Sequence, residues 1–325
     1  MTWLITGGAG YIGGHVVREL AAAGERVVVL DDLSSGSAGR LPDGVPLVVG
    51  STLDRAVLDG AIRDHGVTGV LHVAAKKQVG ESVAEPLLYY RENVEGLRTV
   101  LEAAVAGGVS KVLFSSSAAV YGMPDVDLVT EDTPCAPINP YGETKLVGEW
   151  LLAAAARAYG ISTVSLRYFN VAGAAAPELA DDGVTNLVPM VFQRLTDGLP
   201  PLVFGDDYAT PDGTCVRDFI HVEDIASAHL AAVRRLDAAD GPVALTLNIG
   251  RGEGVSVREM LAAIARTTGR DLAPETTPRR PGDPARVVAS ADLIRKELGW
   301  SARYGVDEMI ASAWAGWLAR HPGLA

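Results

Sequence analysis

Short runs of consecutive apolar residues alternate along this chain with longer segments whose apolar positions recur every three or four residues. TWLIT is followed by IGGHVVRELAAAG, with its apolar positions on one helical face; RVVVLD, VPLVVG and a helical LDRAVLDGAIRDHG come next. GVLHVAA, a helical region through Arg91–Ala106, KVLFSSS, a helix through Trp150–Tyr159 and STVSLRYFN continue the alternation. Strands that are apolar along their whole length and separated by helices imply a parallel sheet covered on both faces. The pattern predicts an α/β fold, a doubly wound parallel sheet occupying residues 1–170.

After about Asn170 the rhythm changes. AGAAAPELADDGVTN and GDDYATPDGT are loop-rich, and Pro189, Pro200, Pro201 and Pro211 interrupt regular structure. Helical patterns resume near 223–236, 256–268 and 305–320, with a strand at ALTLNIG. Residues 171–325 therefore read mainly as a smaller α/β lobe facing a substrate, one of whose strands and helices returns to the main sheet.

The 325 residues are 48% hydrophobic, enough to bury a sizeable core, and carry a net charge of −12. That charge argues against nucleic acid as a partner, because phosphate-backbone binding needs a basic face. Cys135 and Cys215 lie far apart without metal-ligand spacing, which points to a reducing compartment. No leader pattern opens the chain and no stretch approaches the roughly 18 apolar residues of a membrane span. The expectation is a cytoplasmic protein without a membrane partner. The six histidines form no metal motif.

In TGGAGYIGG, Gly7, Gly10 and Gly13 stand directly between a strand and a helix. Glycines there let the backbone approach a pyrophosphate, whose charge sits at the helix N-terminus. RVVVLD ends in Asp31, 18 residues after Gly13, where an acid can hold an adenosine ribose. No basic residue follows that strand immediately, so NAD is favoured over a 2′-phosphorylated cofactor. The plain alternative for Asp31 and Asp32 is a polar strand end.

KVLFSSS carries Ser115, Ser116 and Ser117 at its carboxyl end, where ligands sit in an open parallel sheet. For Ser115 a solvated strand end is the simpler expectation. In INPYGETKLVGEW, Asn139 suits a helix N-cap and Pro140 the first helical position. Tyr141 then lies in the first turn and Lys145 one turn on, on the same face. A cation beside a tyrosine can lower its pKa from about 10 by roughly 1–3 units, enough to make Tyr141 a base for a sugar hydroxyl. An exposed Tyr–Lys pair at a helix end is the bland alternative.

TGGAGYIGG, SSSAAVYG and YGETK together resemble the extended short-chain dehydrogenase/reductase superfamily. VGESVAEPLLYYRENVEG, RYFNVAGA, TNLVPMV, GDDYATPDGTCVRDFIHVEDIA and RRPGD sharpen the resemblance to the UDP-glucose 4-epimerase family over nearly the whole chain. The resemblance implies a Rossmann-type NAD domain, a UDP-sugar substrate, a homodimer, and interconversion of UDP-galactose and UDP-glucose through a 4-keto intermediate. It makes Tyr141 the base, Lys145 its tuner and Ser117 a hydroxyl donor near the 4-oxygen. It sets Tyr11, Ile12, Lys77 and Asn93 beside the cofactor. It assigns Asn170, Asn186, Leu187, Phe204, Arg217, Val257, Arg280 and Asp283 to the substrate, with Arg217 and Arg280 on the diphosphate, Phe204 near uracil and Asp283 on the uridine ribose. Taken alone, the two arginines could equally form surface pairs with Asp218 and Asp283, and Asp224 reads as a helix-start residue.

Three positions depart from the family pattern. Ser51 stands where an acid often contacts adenine, and Ala119 replaces a common threonine. Val287 replaces a bulky residue beside the sugar, which implies tolerance of UDP-N-acetylhexosamines. The alternatives on the same scaffold are 4-epimerases of glucuronate or pentose UDP-sugars and related nucleotide-sugar decarboxylases. A 4,6-dehydratase is disfavoured because Ala118 and Ala119 follow Ser117 where an acid–base pair is required.

Overall fold

A computed structural model describes residues 1–280 and 282–324, so Pro281 of the RRPGD motif lies outside the described residues. Seven parallel strands form the main sheet: β1 (Thr2–Thr6), β2 (Arg26–Asp31), β3 (Leu47–Val49), β4 (Gly69–His72), β5 (Lys111–Ser117), β6 (Ser162–Tyr168) and, from much later in the chain, β10 (Ala244–Ile249). Their order is β10-β6-β5-β4-β1-β2-β3. The order reverses between β1 and β4, the switch point that places a ligand crevice at the strands' carboxyl ends.

Helices cover both faces. On one, α1 (Tyr11–Ala22) packs against α8 (Val222–Asp237), with α10 (Asp292–Leu298) beside it, over Trp3, Ile5, Val29, Leu113 and Leu247. On the other lie α2 (Arg55–His65), α5 (Gly96–Ala106) and α6 (Pro140–Tyr159), over Leu4, Val70, Val112 and Phe114. Burial on both faces explains why these strands lack polar alternation. Thus β10, α8 and α10 join the main sheet although they follow residue 170.

The remaining elements build a second core. Central β9 (Val216–His221) pairs with β7 (Asn170–Ala172), β11 (Gly254–Ser256) and β13 (Arg286–Val287), and β8 (Leu202–Phe204) pairs with β12 (Glu275–Thr277). Around them α7 (Leu187–Thr196), α9 (Val257–Thr268) and α11 (Val306–Arg320) bury Phe192, Met260, Ile264, Trp314 and Trp317.

Two local features differ from the sequence expectation. The Pro189 region is helical: Asn186 is the N-cap of α7, so Pro189 falls in the first turn, where the N–H that proline lacks would have no intrahelical partner. The long helix expected from Arg91 is divided. Short helices α3 (Val79–Ala84) and α4 (Pro86–Tyr89) lead into a π-helical turn, Tyr90–Glu95, before α5. Such turns often mark functional sites, and this one carries Asn93.

Candidate active site

At the β1–α1 turn Gly7 has φ +71°, and a Cβ on it would lie 2.6 Å from the Ala74 nitrogen. A Cβ on Gly13 would lie 2.0 Å from the Gly7 carbonyl oxygen. Only glycine fits this cradle, and Gly10, the N-cap of α1, offers no side chain to the first-turn N–H groups. Asp31, at the end of β2, is buried; its Oδ2 accepts from Ala9 N at 2.9 Å and its Oδ1 from Leu33 N at 2.9 Å. Each oxygen keeps acceptor capacity for a ribose diol. In the loop that follows, Arg40 pairs with Asp182 at 2.9 Å. This donor set fits a dinucleotide.

The other residues expected beside a cofactor sit around this loop in different ways. Tyr11 donates its hydroxyl to the Gly173 carbonyl at 2.6 Å, tying the glycine turn to the segment after β7. Ile12 packs against the main core. Ser51 accepts from Leu53 N at 3.1 Å, within the turn entering α2. Asn93 accepts from Lys76 N at 2.7 Å and donates to the Lys76 carbonyl at 3.0 Å and to Thr144 Oγ1 at 3.0 Å. Its amide therefore holds the backbone beside Lys77. The Lys77 ammonium stands 6.0 Å from the Tyr11 ring centre and 3.9 Å from Asp181.

Helix α6 starts as its sequence dictates. Asn139 accepts from Gly142 N at 2.9 Å and Pro140 occupies the first turn. One face of the helix then addresses the three serines of β5. Ser117 Oγ accepts from Ala119 N at 3.2 Å and lies near enough to Tyr141 to oppose the rise in its pKa. Lys145 Nζ donates to the Ser115 carbonyl at 2.7 Å, and Ser116 Oγ donates to Glu149 Oε1 at 2.5 Å.

Two expectations need correction here. Ser115 is buried, not solvated: Tyr168 donates its hydroxyl to Ser115 Oγ at 2.6 Å. Nor does Lys145 lower the Tyr141 pKa in this arrangement. Burial raises Tyr141 above its ordinary value, with Ser117 opposing. Burial also lowers Lys145 to about 7, Glu149 opposing. Desolvation of both groups outweighs the attraction that i,i+4 spacing implied.

A cavity of ≈ 410 Å³ opens in the second lobe, within the range of small-molecule sites. Asn170, Asn186, Leu187, Phe204, Arg217, Val257, Arg280 and Asp283 all line it. Arg217 pairs with Asp283 and donates to the Val216 carbonyl at 2.9 Å. The Arg280 guanidinium lies 3.6 Å from the Phe204 ring centre. Asp218 does not pair with Arg217 at the surface. It is fully buried and accepts from the Arg251, Gly252 and Ala289 amides, its pKa raised to about 6 by burial. Asp224, also buried, accepts from Arg303 N and Tyr304 N in the first turn of α8. Val287 packs with Val120, Tyr121, Leu146 and Phe169 rather than lining the cavity.

The cavity and the serine strand are joined through β6. Tyr168 is the register partner of Ser117, and Asn170, two residues further, is in the cavity wall. The sequence profile of the NAD dependent epimerase/dehydratase family matches residues 3–250. The chain belongs to this family. It is 46% identical over 315 residues to a UDP-glucose 4-epimerase of Azospirillum brasilense, spanning 95% of this chain and 90% of the relative. Two solved structures are similarly near. One is a UDP-glucose 4-epimerase from Stenotrophomonas maltophila with bound NAD and formylated UDP-arabinopyranose (TM-score 0.94, 40% identity, 99% of each chain). The other is a UDP-glucose 4-epimerase from Bifidobacterium longum in complex with NAD+ and UDP (TM-score 0.91, 37% identity, 100% of each chain).

Sequence reading passed over Glu149 and Arg167. Arg167 Nε and Nη2 grip the Glu149 carboxylate at 2.9 and 2.7 Å behind the serines. The 141/145/149 spacing was the available signal, but Arg167 sits inside an otherwise apolar strand whose partner is distant in sequence. Arg194 and Cys215 in the cavity wall were missed as well.

Proposed function

We propose that the protein is an NAD-dependent UDP-glucose 4-epimerase that interconverts UDP-galactose and UDP-glucose. The observation that carries this reading is the joining of two sites through adjacent strands: Tyr141, Lys145 and Ser117 at the end of β5, and an arginine-bearing cavity whose wall includes Asn170 beyond β6.

The glycine cradle and Asp31 would hold the dinucleotide, which when bound would supply hydride acceptance and return at the sugar C4. Tyr141 would take the proton from the 4-hydroxyl as C4 is oxidised and return it to the same oxygen once the 4-keto sugar has turned its other face. Ser117, at the end of β5 beside Tyr141, would hold the 4-oxygen. Lys145, in the fourth position along the same helix face, supplies the local positive charge for the nicotinamide ribose. Arg217 and Arg280 bind the diphosphate as planar forks, and Phe204 stacks on the uracil side. Asn170, Asn186, Leu187 and Val257 complete the wall, with Asp283 on the uridine ribose. An anchor at the UDP end leaves the 4-keto sugar free to turn. Ala118 and Ala119, in the 3₁₀ turn after Ser117, supply no acid–base pair for dehydration.

Incubating the purified protein with UDP-galactose, without added NAD, tests this reading: UDP-glucose should form. No conversion with or without NAD overturns it.

A second copy of the chain is the proposed partner. Helices α3, α4 and α6 pack together and expose Val83, Leu87 and Trp150, Leu87 at 83% and Trp150 at 62%. Large apolar side chains at such exposure fit an interface. Light scattering should give twice 34.0 kDa, and Trp150→Arg should give the monomer. A cytoplasmic setting agrees with the free thiols of Cys135 and Cys215; no described helix is long and apolar enough to cross a membrane.

A further inference from the structure

Tyr141, Lys145 and Glu149 follow one another at single-turn spacing along α6, the last two buried, and Glu149 has no part in the chemistry described above. Its surroundings are unusually complete for a structural carboxylate. Arg167 grips it bidentately, Ser116 donates to it, and Arg167 Nη1 donates to Tyr121 OH at 2.7 Å, which donates in turn to Asn248 Oδ1 at 2.6 Å. Neither Glu149 nor Arg167 is more than 8% exposed. Burying such a pair is costly, and apolar replacements of similar volume are often as stable. Stability alone is therefore a weak account of it.

Lys145 and Glu149 grip successive residues of β5: the ammonium holds the Ser115 carbonyl and the carboxylate holds the Ser116 hydroxyl. Ser117, the next residue, meets Tyr141. We infer that Glu149 is a positioning residue: its fixed carboxylate, one turn from Lys145 and bound to the next residue of β5, is the counter-charge that seats the ammonium on the serine strand. The inference rests on the epimerase reading for its catalytic consequence, not for its electrostatics.

The groups facing Lys145 leave Glu149 as the relevant anion. From β4, His72 is held neutral, its pKa lowered to about 3 by burial with Lys145 contributing. From β5 come the Ser115 carbonyl and the Phe114 ring, 5.0 Å from the ammonium. From β6, Tyr168 is kept protonated by burial and Arg167 is matched to Glu149. From α6 itself, Tyr141 is raised and Glu149 alone opposes the lowering of Lys145.

The test is titration of the Lys145 side-chain NMR signal in protein labelled with ¹³C-lysine. The chain has five lysines, and Lys145→Arg assigns the signal. Glu149→Gln should move the Lys145 midpoint down by about one pH unit or more, the size of a charge one turn away in a low-dielectric site. The basic limb of kcat for UDP-galactose should move with it. Ser116→Ala, which loosens the strand but leaves the charge, should not shift the midpoint. Glu149→Asp, which withdraws the charge by one carbon, should give a smaller downward shift and carries the test should Glu149→Gln not fold. An unshifted midpoint in the folded Glu variant, or an equal shift in Ser116→Ala, overturns the inference. A wild-type protein that titrates as expected but leaves UDP-galactose unconverted would count against the proposed function instead.

Discussion

Lys145 Nζ donates to the carbonyl oxygen of Ser115 at 2.7 Å and lies 5.9 Å from the centre of the Tyr141 ring. The lysine is therefore anchored to the strand carrying the serines, not to the phenol it serves. Tyr141 stands above its ordinary pKa through burial, and the protein side chain drawing it down is Ser117. A buried base of this kind is protonated at rest and depends on nearby positive charge to ionise. Lys145 and the positively charged ring of oxidised NAD are the groups suited to provide it.

Tyr141→Phe removes the proton carrier while keeping the ring and its packing. Turnover of UDP-galactose is expected to fall by about 10²–10⁴-fold, the usual contribution of a general base. UDP affinity, measured by calorimetry, should stay within a few-fold, because the arginine cavity is unaltered. Loss of UDP binding to the same degree as turnover would show that the residue acts through the fold.

Arg280→Ala should weaken UDP by roughly 10–100-fold, with kcat changing little. The substitution deletes a guanidinium 3.6 Å from the Phe204 ring centre, a contact worth about 0.5–2 kcal/mol. That contact is already present without ligand and does not add to the binding loss; loss of a charge-assisted phosphate contact, about 1.5–3 kcal/mol, sets the expected factor. Arg280→Lys should recover only part of this, since an ammonium lacks the planar fork. Calorimetry with UDP on all three proteins is the check.

The main sheet was legible because its inner strands are buried on both faces and the helices that cover it carry apolar faces. The start of α6 was legible for a local reason: Asn139 and Pro140 are cap chemistry written in neighbouring residues. The division of the helix at Tyr90–Glu95 was not, because a π-turn is held by distant partners, here Asn93 with Lys76 and Thr144. Pro189 misled because its effect depends on where the helix begins. The protonation of Tyr141 and Lys145 was equally out of reach, since burial decides it and spacing does not. The arginine pairings show the same limit: Asp218 neighbours Arg217 in sequence yet bonds three backbone amides of other loops.

Val287 sits in a packed cluster with Val120, Tyr121, Leu146 and Phe169. This position is not in the cavity wall, so tolerance of an N-acetyl group rests on the family resemblance alone, and the expected outcome to check is conversion of UDP-N-acetylglucosamine by the native protein. Val287→Tyr should abolish that conversion while sparing UDP-galactose. It should also cost about 1–3 kcal/mol, the usual penalty for overpacking, read as a lower urea midpoint. Failure of the native protein to turn over UDP-N-acetylglucosamine would remove the specificity role.

Acid should destabilise the fold well before its surface carboxylates titrate. Burial lowers the pKa of His15, His221 and His229 to about 4 and of His72 to about 3, against about 6.5 in the unfolded chain. Between those values the unfolded chain binds protons that the folded protein refuses, so stability falls as pH drops below about 6.5. Asp218 acts in the opposite sense: its folded pKa of about 6 lies above the unfolded value, and it takes up a proton on folding in part of the same window. Four histidines against this carboxyl leave a net difference of about three protons, a slope of roughly 4 kcal/mol per pH unit near pH 5. Urea midpoints measured from pH 7 to pH 5 should fall steadily. His72→Gln, which removes one of the four, should reduce the slope by about 1.4 kcal/mol per pH unit. A flat profile across this range would mean that the histidines accept protons in the folded state, through water reaching sites that the packing closes.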